Sequence, residues 1–380
     1  MSTTSAYGQD RARSLGLSLQ GRTGPLNAIT DVSGVEVGYV TLVEGENVRT
    51  GVTAILPRGK KKIGVACVAA MYSLNGNGEM TGTIWIEETG AIAMPIMITN
   101  THAVGTVHRG VIDWINQNNP KLAAQWLLPV VAETWDGFLN DINGAHIKTE
   151  HASSAIDNAT SGPVVEGSVG GGTGMNCYGF KGGNGTSSRL VKYANEEYVV
   201  AAFVQANFGS RAELRITGVD MHDLNCPNPL NEVEWFIEDQ LDVRPPAGAG
   251  SVIVIIATDA PLMPAQCKAL AKRVPLGLAR TGTAGSHFSG DIFLAFSTAN
   301  EGALNSGFPT QEETQDDYDQ MKSIQWGRMD SFYTAAVQAV EEAVLNALLV
   351  NHDMTGRNGH KSFALPHNLM QAKLKEAGKI

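Results

Sequence analysis

The chain predicts an α/β fold whose strands are buried on both faces, and three observations carry that expectation. Short, strongly apolar runs recur along its length, the clearest being Val252-Ile253-Val254-Ile255-Ile256-Ala257, and such continuous runs fit strands covered on both sides. Segments with helical composition or helical spacing stand between them. With 380 residues, 43% of them hydrophobic and 17% charged, the chain can bury an enzyme-sized core.

In chain order, residues 35–40 and 52–56 predict strands separated by Gly and polar turns. Residues 92–98 predict a third. Residues 122–128 favour helix by composition, Pro129 kinks or restarts it, and the continuation through Glu133 and Trp135 ends on a capping Gly137. A long strand is expected over 198–204, another over 252–256, a helix over 264–272, and a strand over 292–297. The clearest helix begins at Asp330 as N-cap, with Tyr333, Val337, Val340, Val344 and Leu348 forming an apolar stripe. The acidic stretch 311–319 reads as a surface loop. No internal repeat is apparent.

Composition excludes several functions. A net charge of -10 argues against nucleic-acid or anionic-membrane partners, which require dense Lys and Arg. The one basic run, Arg58 with Lys60, Lys61 and Lys62, reads as an exposed turn. Cys67, Cys177, Cys226 and Cys267 have no CxxC or zinc-ligand spacing and read as buried thiols of a reducing compartment. The first residues lack the apolar centre of a signal peptide, and no run reaches membrane-spanning length, so cytoplasm is the default expectation.

Familiar motifs are mostly missing. No GxGxxG frame fits Val169-Gly170-Gly171-Gly172-Thr173-Gly174-Met175; Gly174 to Gly179 has P-loop spacing, but Phe180-Lys181 follows where Lys-Ser/Thr is required. HExxH and GxSxG are absent. What stands out is Ala247-Gly248-Ala249-Gly250-Ser251 joined directly to the apolar strand. A serine at that seam can attack the carbonyl of Gly250 and, once released, use its own α-amine as base. The same seam also reads as an ordinary loop entering a strand.

Gly250-Ser251 with Thr258-Asp259-Ala260-Pro261-Leu262, and Val165-Glu166-Gly167-Ser168 running into the Gly-rich segment, resemble the DmpA family. Val204-Gln205-Ala206-Asn207, Val131-Ala132-Glu133-Thr134 and Ser289-Gly290-Asp291 follow the same family. Its members are L-aminopeptidase/D-esterase-amidases and β-peptidyl aminopeptidases. The similarity runs from about Gly24 to near His367.

The resemblance implies a four-layer αββα sandwich of the DmpA/ornithine-acetyltransferase type, built from one hydrolase domain over 1–380. It implies self-cleavage before Ser251 into chains 1–250 and 251–380. Ser251 would be the nucleophile, and Ser289 and Asp291, at i and i+2 of an extended segment, would share one face and orient the nucleophile and its amine. Asn207 would donate to the oxyanion, Glu133 would bind the substrate ammonium, and Trp135 would wall the pocket. Lys181 would lie near the site, as in related nylon-oligomer hydrolases, and the Gly-rich loop would let backbone approach substrate.

Substrates would be small peptides, amides or esters with a free amino group. No cofactor or metal is implied, and a homo-oligomer, a tetramer of two-chain units, is expected. Two alternatives stay open. An acyltransferase of the ornithine acetyltransferase type is one, although that group uses Thr after Ala where this chain has Gly-Ser. An uncleaved binding protein with the same fold is the other. The choice between α-peptides, β-peptides and D-esters also stays open.

Overall fold

The computed structural model describes residues 10–380 except 233, 310, 311, 313 and 315–317. The beginning of the chain, read above for a signal peptide, and part of the acidic stretch 311–319 therefore lie outside the described residues.

Two sheets form the centre. The first has four strands in the order Glu36–Glu44, Val48–Leu56, Ile96–Asn100 and Val130–Thr134, of which the last pair runs parallel. The second has six, in the order Ala91–Ile92, Cys67–Ser73, Ser289–Ser297, Gly250–Thr258, Glu196–Asn207 and Gly183–Tyr193. Only Gly250–Thr258 and Ser289–Ser297 are parallel neighbours in it.

Three apolar cores fix the layer order. Ile55, Ile96, Ile98 and Ala132 of the first sheet meet Phe203, Ile253, Ile255 and Leu294 of the second. The outer face of the first sheet, with Val52, Ala54 and Met97, packs on helices Val104–Asn118 and Thr149–Asp157 through Val107, Val111 and Ile156. The outer face of the second, with Val200, Val252, Val254 and Phe293, packs on Pro264–Ala271, Val274–Ala279 and Asp330–Leu349. Helices, sheet, sheet and helices thus stack in that order. Period-2 alternation sends successive residues of one strand to different cores, and both faces are apolar, as the uninterrupted runs predict. The long helix lies close to its sheet: a Cβ on Gly185 would come within 2.0 Å of the Ala343 carbonyl oxygen. Among the described residues no helix is long and apolar enough to cross a membrane.

Several expectations need correction. Residues 122–128 are helical only within Pro120–Ala123, and the segment read as a restarted helix is the strand Val130–Thr134. Its five residues are buried, and β-branched Val130, Val131 and Thr134 favour the strand that pairs with Ile96–Asn100. The single strand expected over 92–98 is two strands, Ala91–Ile92 and Ile96–Asn100, which belong to different sheets. Asp330 lies inside the last helix. Met329 holds the cap position, and its carbonyl accepts the Phe332 and Tyr333 N–H groups at 3.0 Å each; Asp330 instead places a carboxylate in the first turn, where the helix dipole favours it. Cys226 is half-buried, unlike the other three thiols. Arg58 is not part of an exposed turn: its guanidinium donates to the Ala66 and Thr298 carbonyls and pairs with Glu301.

Candidate active site

Ser251 enters the six-stranded sheet at the mouth of a central strand. It is directly opposite Asn207 on the antiparallel side and Gly290 on the parallel side. Its residue is 3% exposed. The Oγ donates to the Gly250 carbonyl at 2.7 Å and accepts the Gly290 N–H at 3.3 Å. The hydroxyl is therefore already held against the peptide bond that precedes it. Backbone packing there is close, because a Cβ on Gly250 would stand 1.9 Å from the Asn207 carbonyl oxygen. No His or Lys side chain is bonded to the Ser251 hydroxyl among the described residues, so its base must come from elsewhere.

Asn207 is buried beside Ser251 and its amide is oriented at both ends. Oδ1 accepts the Asn176 N–H and Nδ2 donates to the Trp135 carbonyl, each at 2.8 Å. A carboxamide nitrogen has two hydrogens, and one remains after the bond to Trp135.

Ser289 and Asp291 share a face, but it is not the face of the Ser251 hydroxyl. They lie on the side of Phe293 and Val252, in the helix-facing core, whereas Ser251 follows the alternation of Ile253 toward the inter-sheet core. The contacts of the Ser251 hydroxyl are accordingly the Gly250 carbonyl and the Gly290 N–H. The Ser289 hydroxyl donates to Asp291 Oδ1 at 2.5 Å. Their ladder partners are Gly250 and Val252, the two residues that flank Ser251. Burial pushes the Asp291 carboxyl above the ordinary carboxylate range, opposed by hydrogen bonds from Ser289, Asn75 and the Val252 N–H.

Glu133, near the end of Val130–Thr134, is 2% exposed. Its carboxylate accepts the Glu79 N–H at 3.0 Å and the Thr101 hydroxyl. Burial raises its pKa against both of these bonds, and no Lys or Arg forms an ion pair with it among the described residues. A desolvated carboxylate without a counter-ion is the chemistry that favours an incoming cation.

A cavity of about 890 Å³ joins these groups: Glu133, Trp135, Asn207, Gly250 and Ser251 line it. Trp135 belongs to an aromatic wall with Trp235, 6.0 Å between ring centroids. Lys181 is not a lining residue. It is fully buried, with Nζ donating to the Met175 and Gly182 carbonyls at 2.9 and 2.7 Å, and burial lowers its pKa to about 7. The Gly-rich loop does not line the cavity either. A Cβ on Gly171 would stand 2.4 Å from Gln205 Oε1 and 2.8 Å from the Ile98 carbonyl, so its glycines let the two sheets approach each other.

Sequence reasoning missed Asn75, Thr101 and Trp235. Asn75 opens Asn75-Gly76-Asn77-Gly78 directly after an apolar run, a turn signal that announces a bend but no partner. Nothing local to Thr101 or Trp235 marks them.

Comparison with known proteins gives one consistent result. Residues 27–362 match peptidase family S58. The chain is 46% identical over 377 residues to β-peptidyl aminopeptidase BapA of Sphingosinicella microcystinivorans, covering 96% of this chain and 92% of that protein. It is 41% identical to the protein of the same name from Sphingosinicella xenopeptidilytica, over 99% of this chain and 93% of the relative. Among solved structures, the L-aminopeptidase D-Ala-esterase/amidase of Ochrobactrum anthropi, described as a variant of the Ntn hydrolase fold, superposes with a TM-score of 0.86 at 42% identity, covering 97% of this chain and 99% of that one. A Burkholderia sp. β-aminopeptidase gives 0.86 at 40% identity, covering 97% and 99%.

Proposed function

This chain belongs to peptidase family S58, and from that premise we propose that it is a self-processing aminopeptidase in which Ser251 is the nucleophile, first against its own chain and then against substrate. The observation that carries this reading is the Ser251 hydroxyl bonded at 2.7 Å to the Gly250 carbonyl, in a cavity that also holds Asn207 and an unpaired Glu133.

In the first stage Ser251 Oγ adds to the Gly250 carbonyl carbon and gives its proton to the departing Ser251 nitrogen. The C–N bond breaks and an ester forms. Water hydrolyses the ester, leaving a carboxylate on Gly250 and a free amine on Ser251. One domain over 1–380 thereby becomes chains 1–250 and 251–380, which remain associated because the parting point lies within a continuous sheet.

In the second stage the new α-amine, with an ordinary pKa of about 7.7–8.0, takes the Oγ proton as the oxygen attacks the substrate carbonyl. Ser289 and Asp291 orient that amine. Asn207 Nδ2 donates its free hydrogen to the oxyanion, Glu133 holds the ammonium of the substrate's first residue, and Trp135 bounds the acyl side. The leaving amine departs with the proton, and water releases the acyl group from Ser251. Lys181 supports the turn between Met175 and Gly182 and does not touch substrate.

The substrate class this supports is short peptides, amides or esters with a free amino group; β-peptides follow from the named relatives and D-esters from the Ochrobactrum enzyme. Gly-Ser at the seam favours hydrolysis over acyl transfer. Exposed Ile84, Trp85, Trp126 and Phe308 offer apolar surface for the expected homo-oligomer, which size-exclusion chromatography with light scattering tests. The buried free thiols of Cys67, Cys177 and Cys267 accord with a cytoplasmic setting.

The deciding experiment is the intact mass of the purified protein beside Ser251→Ala. Two masses breaking between Gly250 and Ser251 in the native protein, and one in the variant, are expected. A cleaved Ser251→Ala would overturn the assignment.

A further inference from the structure

The Ser289–Asp291 pair depends on a residue that neither the sequence reading nor the roles above include. Asn75 lies in the turn after Cys67–Ser73 and grips Asp291 at two points. Its Oδ1 accepts the Asp291 backbone N–H at 2.6 Å, and its Nδ2 donates to Asp291 Oδ2 at 3.1 Å. The same nitrogen donates to the Ser286 carbonyl at 2.8 Å. Both amide hydrogens and the amide oxygen are thus used, so the side chain cannot flip without losing all three bonds. The turn itself is tied to the strand, with the Leu74 N–H on the Asp291 carbonyl at 3.0 Å and the Asn77 N–H on the Ser289 carbonyl at 3.3 Å.

The arrangement leaves each carboxylate oxygen a defined task. Oδ2 is held by Asn75, Oδ1 takes the Ser289 hydroxyl, and the group lies alongside Val252, one residue beyond the nitrogen that cleavage turns into an amine. The groups facing Asp291 are the Ser289 hydroxyl on its own strand, the Asn75 amide from the neighbouring turn and the Val252 N–H from the nucleophile strand; no charged side chain contributes among the described residues. With no guanidinium or ammonium to anchor it, the carboxylate takes its orientation from neutral donors. Asn75 is the only one of these that comes from outside the parallel strand pair.

We propose that Asn75 is a positioning residue of the second stage, locking the Asp291 carboxylate so that it and Ser289 hold the α-amine of Ser251 for its work as base. This rests on the reading that the Ser251 amine is that base. Asn75 touches neither substrate nor the reacting atoms and acts through Asp291.

The test uses the full-length protein carrying Asn75→Asp or Asn75→Ala, with intact mass, circular dichroism, and kcat and KM on an aminoacyl p-nitroanilide from pH 4 to 9. Asn75→Asp is nearly isosteric and keeps the acceptor for the Asp291 N–H, so it separates loss of the donor from collapse of the turn. Losing a hydrogen bond to a charged group predicts a fall in kcat of about 10- to 100-fold, with KM within about twofold of native. Removing that donor favours the protonated acid, and a second carboxylate favours it further. The acid limb of the kcat profile is set by the α-amine that Asp291 holds, so weakening that carboxylate is expected to move the limb in both variants. A purely structural role would lower the active fraction and leave the limb in place.

Native kcat in either cut variant, an unmoved limb, or a loss confined to KM would overturn the proposal. So would an Asn75→Asp protein that folds but stays uncut, because no amine exists before cleavage and the residue would then be acting earlier. Failure of the underlying reading is distinct from these: it would appear as native kinetics in Asp291→Asn or as cleavage of Ser251→Ala, whatever Asn75 does.

Discussion

Replacing Asn207 tests the centre of the proposed chemistry most directly. Its amide makes two 2.8 Å bonds in the resting protein, from the Asn176 N–H to Oδ1 and from Nδ2 to the Trp135 carbonyl, and the remaining Nδ2 hydrogen is assigned to the oxyanion. Asn207→Ala removes all three interactions. Loss of one oxyanion donor is typically about 2.7–4 kcal/mol of transition-state stabilisation, or roughly 10²–10³ in kcat. The two stranded backbone groups cost about 1–3 kcal/mol each in stability, a substantial part of the roughly 5–15 kcal/mol that holds a typical protein folded. Asn207→Asp separates these effects. It keeps an acceptor for the Asn176 N–H, loses the donor, and puts negative charge where more negative charge must develop. Its kcat should therefore fall at least as far as that of the Ala variant while its urea midpoint stays closer to native. The assay pairs steady-state kinetics with intact-mass time courses, because the self-cleavage step develops an oxyanion on the Gly250 carbonyl and should slow as well. Because the interaction exists only in the transition state, KM should change little. A kcat within about threefold of native in both variants, or a loss confined to KM, would refute the assignment.

Other outcomes follow from the same geometry. Burial raises the Glu133 pKa, so the ammonium-binding form is lost as pH falls through a value above the ordinary carboxylate range; kcat/KM should fall more steeply below that value than the α-amine alone requires, and Glu133→Gln should remove this extra steepness and lower kcat/KM by about 100-fold or more, consistent with about 3 kcal/mol for a buried charge pair. Glu342, buried with Arg189 and bonded also to Arg13, is pushed up by burial and pulled down further by those two guanidiniums, for a net lowering. Its contribution is present above the unfolded carboxylate pKa and lost as pH falls through the folded one; Glu342→Gln should cost about 3–5 kcal/mol near neutrality by urea unfolding, with the difference shrinking in acid. Lys181 has a folded pKa of about 7 against an ordinary 10.5, so the unfolded chain binds more protons between those values and stability should rise with pH across them. Lys181→Met should flatten that slope in denaturation curves taken from pH 7 to 10, and an unchanged slope would contradict the buried position of its ammonium.

The sequence by itself determined a good deal. Uninterrupted apolar runs such as 252–257 require strands buried on both sides, since no solvent-facing strand tolerates that composition, and the stripe through Tyr333, Val337, Val340, Val344 and Leu348 requires a helix packed on a core. The seam at Gly250-Ser251, with Asn207, Glu133, Ser289 and Asp291 in family order, brought the candidate groups into view because each stands in a short motif that resembles the family's.

Position and partnership were decided only by tertiary structure. Val130–Thr134 reads as the continuation of the segment before Pro129, whereas it pairs with Ile96–Asn100 as a strand, as its β-branched residues allow. The pleat, invisible in sequence without the register, turns Ser289 and Asp291 away from the Ser251 hydroxyl. Lys181 is turned onto the Met175 and Gly182 carbonyls and the Gly-rich loop is packed between the sheets rather than against the cavity, and Asn75 reaches Asp291 across 216 positions of chain. Local propensity and periodicity act over a few residues, whereas hydrogen-bond partners, burial and the resulting pKa shifts arise from contacts between segments that only the folded chain brings together.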